Sequence, residues 1–220
     1  TRVILVGDVD QLQSVGAGDV FRELIDSGLI PVTVLNEIFR QKKGSIIAYN
    51  AKRINEANID LQYGEDFQFV KCQTQEEAAD LICRIFSEQV AINGIEKVQI
   101  LSPFRSEGPA SVEQLNATIR ELVNPVKDNS PDLKVGSCYF RQGDKVMQTK
   151  NNAKASNGDI GYIRKMGRNE KDEMMITIEF SGNRTVEYGM EEMAHMELAY
   201  ATTVHKAMGS EFDIVIMPVL

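Results

Sequence analysis

A continuous apolar run near the start, Val3-Ile-Leu-Val6, constrains the fold most. It stops at Gly7-Asp8 and gives way to a polar cluster, Asp8, Asp10, Gln11 and Ser14, with Gly16 and Gly18 behind it. An unbroken apolar run of this length predicts a strand buried on both faces, as in a parallel α/β sheet. Open sheets of that class carry their chemistry just outside the carboxyl ends of the strands. The polar cluster therefore falls where a site belongs.

Strand and helix signals alternate downstream. A helix is expected over 19–27, stopped by Gly28. Short strands are expected at Val32–Leu35 and Phe67–Val70, with a helix between them starting near Ser45. Thr74 and Glu77 form a capping box ahead of an apolar stripe that Asn93-Gly94 closes. Val98-Gln-Ile-Leu101 reads as a strand delivering Ser102-Pro-Phe-Arg105 at its carboxyl end. Ser111 and Gln114 then open a second capped helix that stops at Asn124-Pro125. This is the pattern of a parallel sheet.

After Pro125 the pattern changes. Residues 126–134 are polar and turn-rich, and short strands come next at Lys145–Gln148, Ile160–Ile163, Met175–Phe180 and Thr185–Tyr188. They predict a small antiparallel barrel or sandwich inserted in the α/β part. From Cys138 to Lys171 the insert holds eight basic residues (Arg141, Lys145, Lys150, Lys154, Arg164, Lys165, Arg168, Lys171) against three acids. A basic half of this kind is what a nucleic-acid groove requires, and an ordinary mixed surface is the plainer alternative.

The whole chain has 24 basic and 32 acidic residues, a net charge of −8, which argues against coating nucleic acid by bulk charge. Cys72, Cys83 and Cys138 lack metal-type spacing, so a reduced, cytoplasmic setting is expected and a zinc site is not. No stretch approaches the ~18 apolar residues of a membrane span, and no signal peptide is visible. Both ends run almost directly into apolar strands, so an excerpt of a longer protein is expected.

Asp8 and Asp10 have the chemistry to hold Mg²⁺. The alternative is a turn in which their carboxylates accept from backbone N–H groups. Arg40 and Arg105 each come after a strand signal, where a guanidinium is either a surface charge or a phosphate clamp. Asn157-Gly-Asp159 is most simply a turn. Thr203-Val-His-Lys-Ala-Met-Gly-Ser-Glu-Phe212 packs more polar chemistry between two apolar stretches than a structural role explains.

Taken in order, these blocks resemble superfamily 1 DNA helicases of the RecD-like group, which includes the exodeoxyribonuclease V alpha subunit. The matching stretches are Val6–Gly18, Ile38–Gln41, Ser102–Arg105, Asn157–Gly161 and Thr203–Asp213. The resemblance implies a parallel-sheet, RecA-like motor of the P-loop NTPase type with an inserted SH3-like β-barrel. The expected division is the end of a first RecA-like domain at 1–40, a second at 41–134, the insert at 135–197, and the second domain resumed at 198–220. It implies ATP with Mg²⁺ as the nucleotide, single-stranded DNA as partner, and 5′-to-3′ movement. The same likeness implies nuclease or helicase partner subunits and a role in recombination and repair.

By the same resemblance, Gln11 and Arg40 would touch the γ-phosphate, and Gly209 and Glu211 would face the nucleotide. Arg105, Asn157, Thr203, His205 and Lys206 would face DNA. No metal ligand is assigned. Two positions depart from the family pattern: Gln13 stands for the usual Pro, and Met208 for the usual Gln before Gly209. No G-x-x-x-x-G-K-[ST] phosphate loop occurs in the 220 residues, so this stretch alone is expected not to turn over ATP. Two readings stay beside the helicase: the motor of a conjugative relaxase or an RNA-acting relative, and a non-catalytic nucleic-acid-binding module.

Overall fold

A computed structural model describes residues 2–11, 18–35, 45–127 and 132–219. The chain divides into two compact units, Thr1–Lys71 and Cys72–Leu220.

The first unit holds two helices, α1 (Val20–Asp26) and α2 (Ile46–Asn55). Asp19 caps α1, its carboxylate accepting from the Arg22 backbone N–H and pairing with the Arg22 guanidinium. Asp66 caps α2 from a distance by accepting from the Ile46 N–H and the Ser45 hydroxyl, 3.0 Å each. Asn50 is fully buried and exchanges two hydrogen bonds with the Gln62 backbone. The strands expected at Val3–Val6, Val32–Leu35 and Phe67–Val70 are absent. A strand exists only through ladder bonds to a neighbour, and no described segment pairs with these runs. Val6 is accordingly 92% exposed.

The second unit carries both apolar cores. Its parallel sheet has the order β10-β1-β9, with β1 (Val98–Ser102) central, β9 (Ala201–Thr203) on one side and β10 (Ile214–Ile216) on the other. Two helices cover it: α3 (Gln75–Asn93) and α4 (Val112–Val123). Both begin as the capping boxes require, with the Thr74 hydroxyl accepting from Glu77 N–H and the Ser111 hydroxyl from Gln114 N–H. The stripe Ile82, Phe86, Leu115 and Ile119 meets Val98, Ile100 and Tyr200 between helices and sheet. Asn116 of α4 bonds the carbonyls of Leu198 and Ala201 and the Ala201 N–H, tying the helix to the edge strand.

The insert is an antiparallel sheet of order β7-β6-β5-β4-β8: β4 (Lys145–Gln148), β5 (Ile160–Arg168), β6 (Met174–Phe180), β7 (Arg184–Gly189) and β8 (Met196–Leu198). The expected barrel does not close among the described residues, because β8 pairs with β4 and then runs on towards β9 rather than meeting β7. A hairpin, β2 (Leu133–Val135) and β3 (Cys138–Phe140), packs Val135 and Phe140 into the same core. Its loop is Gly136-Ser137, and Gly136 at φ 60° supplies the positive φ that a two-residue hairpin turn requires.

The basic half of the insert is not a free cationic groove. Arg141 and Lys145 are buried, and Lys154, Arg164 and Arg168 are paired with Glu192, Glu179 and Asp172. Most of the positive charge counted along the sequence is buried or neutralised within the fold.

Candidate nucleic-acid interface

Parallel strands β1 and β9 end side by side, and the loops at their carboxyl ends build one site. After β1, the Ser102 hydroxyl donates to the Ala110 carbonyl at 2.7 Å and accepts from the Phe104 N–H, folding Ser102-Pro-Phe-Arg105 into a tight loop. The first N–H groups of α4 bond back to it, Val112 to the Phe104 carbonyl and Glu113 to the Arg105 carbonyl. Arg105 is thereby aimed from a fixed base. After β9, the Thr203 hydroxyl accepts from the Lys206 N–H at 3.3 Å and starts a single 3-10 turn, His205–Ala207.

Arg105, Thr203 and Lys206 line one groove of about 740 Å³. One carboxylate joins the two cations: Glu197 accepts from the Arg105 guanidinium at 3.1 Å and from the Lys206 ammonium at 2.7 Å. Burial raises the Glu197 carboxyl, but Lys206 and Arg105 outweigh it and hold it below the usual carboxylate range. Thr202 also lines the groove, 2% exposed, and its Oγ1 has no hydrogen-bond partner among the described residues. A buried hydroxyl in that state is costly unless something else meets it. Val112, Ala117, Met147 and Leu198 give the groove an apolar lining.

Of the other residues singled out from sequence, Asn157 heads an exposed turn whose N–H donates to Asn151 Oδ1. Gly158, at φ 96°, lies against Lys206, since a Cβ there would stand 3.6 Å from the Lys206 carbonyl oxygen. His205, Gly209 and Glu211 are exposed and do not line the groove. Gly209 has φ 81° and open space around it, so the backbone conformation alone accounts for a glycine. Sequence reasoning missed Glu197, Thr202 and Tyr139, all lining the groove. None belongs to a motif, and only the pairing of distant strands brings them there.

Gln11 belongs to the first unit. Its Nε2 donates to Asp8 Oδ2 at 3.2 Å, and Asp8 Oδ1 accepts from the Asp10 N–H at 3.0 Å. Asp8 thus shapes the turn that carries Gln11. Both of its oxygens are engaged in that turn, and among the described residues no group of three or more His, Cys, Asp or Glu is placed to hold a metal. Arg40 lies outside the described residues.

A family model described as the ATP-dependent RecD-like DNA helicase SH3 domain matches residues 115–180, and one described as an AAA domain matches residues 1–75. The ATP-dependent RecD2 DNA helicase of Deinococcus radiodurans is 31% identical over 98% of this chain and 28% of its own length. The RecBCD enzyme subunit RecD of Mycolicibacterium smegmatis is 27% identical over 97% of this chain and 39% of its own length. The conjugal transfer protein TraA of Rhizobium radiobacter is 26% identical over 96% of the chain and 19% of its own length. The chain therefore spans between about a fifth and two fifths of these relatives. With a parallel-sheet α/β part interrupted by a matched SH3-type insert, the chain carries the features of RecD-like DNA helicases and is similar to them over nearly all of its residues.

Proposed function

We propose that the chain is the strand-gripping part of an ATP-dependent DNA helicase of the RecD type, moving on single-stranded DNA in recombination or repair. The convergence of Arg105, Thr203 and Lys206 on one groove, at the carboxyl ends of two parallel strands, supports this reading most directly. Two cations and the Thr203 hydroxyl along a groove with apolar lining suit a phosphodiester backbone bearing unpaired bases, without reading sequence. Asn157 and His205, on the turns beside Lys206, extend the same DNA-facing surface.

On this reading, Gln11, Arg40, Gly209 and Glu211 act on the nucleotide. Phosphoryl transfer to water needs positioned charge at the γ-phosphate rather than a protein nucleophile, and an amide on a braced turn plus an arginine provide it. No G-x-x-x-x-G-K-[ST] phosphate loop occurs in these 220 residues, and on this reading the Mg²⁺ ligands lie mostly outside them, so the isolated chain is inactive as an ATPase. The free thiols of Cys72, Cys83 and Cys138 suit a cytoplasmic setting. Among the described residues no helix is long and apolar enough to cross a membrane.

The test is DNA-stimulated ATPase activity of the full-length parent. Arg40→Ala and Gln11→Ala abolish turnover, whereas Arg105→Ala with Lys206→Ala raises the single-strand concentration needed for stimulation. An intact parent that does not hydrolyse ATP at all would favour a non-catalytic binding module instead. The TraA likeness supports one further setting, the motor of a conjugative relaxase, and a relaxase domain on the same polypeptide would select it.

A further inference from the structure

The groove has a second wall that no motif predicts. Ser137, Cys138 and Tyr139 of the β2–β3 hairpin line it together with Arg105, Thr203 and Lys206. Tyr139 is 47% exposed, although the next residue, Phe140, is fully buried in the insert's core. Its cross-strand partner is Lys134, whose ammonium lies 5.6 Å from the centre of its ring.

The hairpin is held at its base rather than left to swing. Asp132 and Arg141 flank the two strands, and Arg141 Nε donates to Asp132 Oδ1 at 2.7 Å. The same guanidinium reaches Glu121 at 2.8 Å and the Asn124 carbonyl at 2.6 Å, at the end of α4. The Asp132 contact holds the Arg141 charge firmly on and, in return, lowers the Asp132 carboxyl. One 3% exposed arginine thus fixes the hairpin to the helix that lines the rest of the groove. An aromatic held in place loses little conformational entropy when it takes a ligand.

We propose that Tyr139 is the base-stacking platform of this groove: an unpaired base of single-stranded nucleic acid lies on its ring while the adjoining phosphates meet Arg105 and Lys206. The proposal rests on the reading of the chain as a single-strand motor, and adds the residue that holds the base. A groove of about 740 Å³ accommodates a ligand of nucleotide size. Every base offers a π face, so the platform grips without sequence preference, as a translocating protein requires.

The test uses single-strand binding by the 220-residue chain. Tyr139→Ala weakens binding by about 5-fold to 100-fold and leaves the salt dependence unchanged, because stacking releases no counterions. Tyr139→Phe binds as the parent chain does. The chain contains no tryptophan, so Tyr139→Trp introduces a single reporter in the wall of the groove. Its emission is quenched by an oligonucleotide and unchanged by an abasic strand of equal length. If the parent chain binds single strands but Tyr139→Ala binds equally well and the Tyr139→Trp emission does not respond, the platform is overturned and the motor reading stands. If the unsubstituted 220-residue chain binds no single strand at all, the reading of this chain as the strand-gripping part falls, and the platform with it.

Discussion

Glu197 already occupies the place that the motor reading gives to a phosphate. It sits in β8, pairs across to Met147, and bridges Arg105 and Lys206 with its two oxygens. An arriving phosphodiester competes with that carboxylate for the same cations. Glu197→Gln keeps the size and removes the charge, so single-strand binding tightens several-fold at low salt, and its salt dependence steepens as more phosphate contacts form. Fluorescence anisotropy at two salt concentrations measures both effects. Weaker binding by Glu197→Gln would mean that the carboxylate holds the cations in place rather than screening them.

Lys145 shows why charge counted along a sequence misleads. It is 1% exposed, and its ammonium donates to the carbonyls of Val98 at 2.9 Å and Ile95 at 3.3 Å. Burial pushes it down from 10.5 to about 8, with Glu96 pulling weakly the other way. Between those two values the unfolded chain binds the proton more than the folded chain does, so stability rises with pH across the window. Below about 8 both states are charged and the slope vanishes. At ~1.4 kcal/mol per pH unit the whole rise is at most about 3 kcal/mol. Denaturant melts from pH 7 to 10.5 should show it, and Lys145→Met should flatten the curve.

Among the elements, those with local signals were legible and those that need a distant partner were not. The capping boxes of α3 and α4 marked both helix starts, and the alternation in β6 marked its buried face. The β2–β3 hairpin escaped because Leu133-Lys-Val135 is too short to show a period. Strands β8 and β9 escaped because each is only three residues long and the short run Met196–Thr203 is split between two sheets. The site divides in the same way: Arg105, Thr203 and Lys206 stand in motif-like blocks, whereas Glu197, Thr202 and Tyr139 reach the groove only through strand pairing.

The joint between the insert and the α/β part is equally invisible in one dimension. Asp144, fully buried, accepts from Arg120 Nε (3.1 Å), Asn124 Nδ2 (2.8 Å), the Tyr200 hydroxyl (3.0 Å) and the Arg141 N–H (2.8 Å). Two of those donors stand on α4 or just beyond it and one beside β9, so this carboxylate fastens the inserted sheet to the α/β core. Asp144→Ala leaves the Arg120 charge buried without its nearest counterion and costs about 3–5 kcal/mol. Within the sheet, a Cβ at Gly161 would stand 2.7 Å from Ile178 Cγ2 and 2.9 Å from the Glu179 carbonyl oxygen, so Gly161→Ala forces β5 and β6 apart. Chemical denaturation of both variants measures these losses, with Gly167→Ala, which meets nothing within 4 Å, as the control.

At the scale of the molecule the two units differ in what holds them. Both apolar cores lie in Cys72–Leu220, while Asn50 is the one buried residue among those described before Cys72. Apolar burial at about 25 cal/mol per Å² is the main source of cooperative stability, so the second unit should carry nearly all of it. The apolar runs Val3–Val6 and Val32–Leu35 have the composition of central strands but no described neighbour, and composition cannot supply ladder bonds. Amide exchange measured by mass spectrometry should therefore find slow exchange in β1, β5, β6, α3 and α4, at rates set by global unfolding. Peptides covering Val3–Val6 and Val32–Leu35 should exchange orders of magnitude faster, by local opening. Equal protection across both units would show that the opening strand is paired in solution, and that the turn carrying Gln11 stands at the end of a formed sheet.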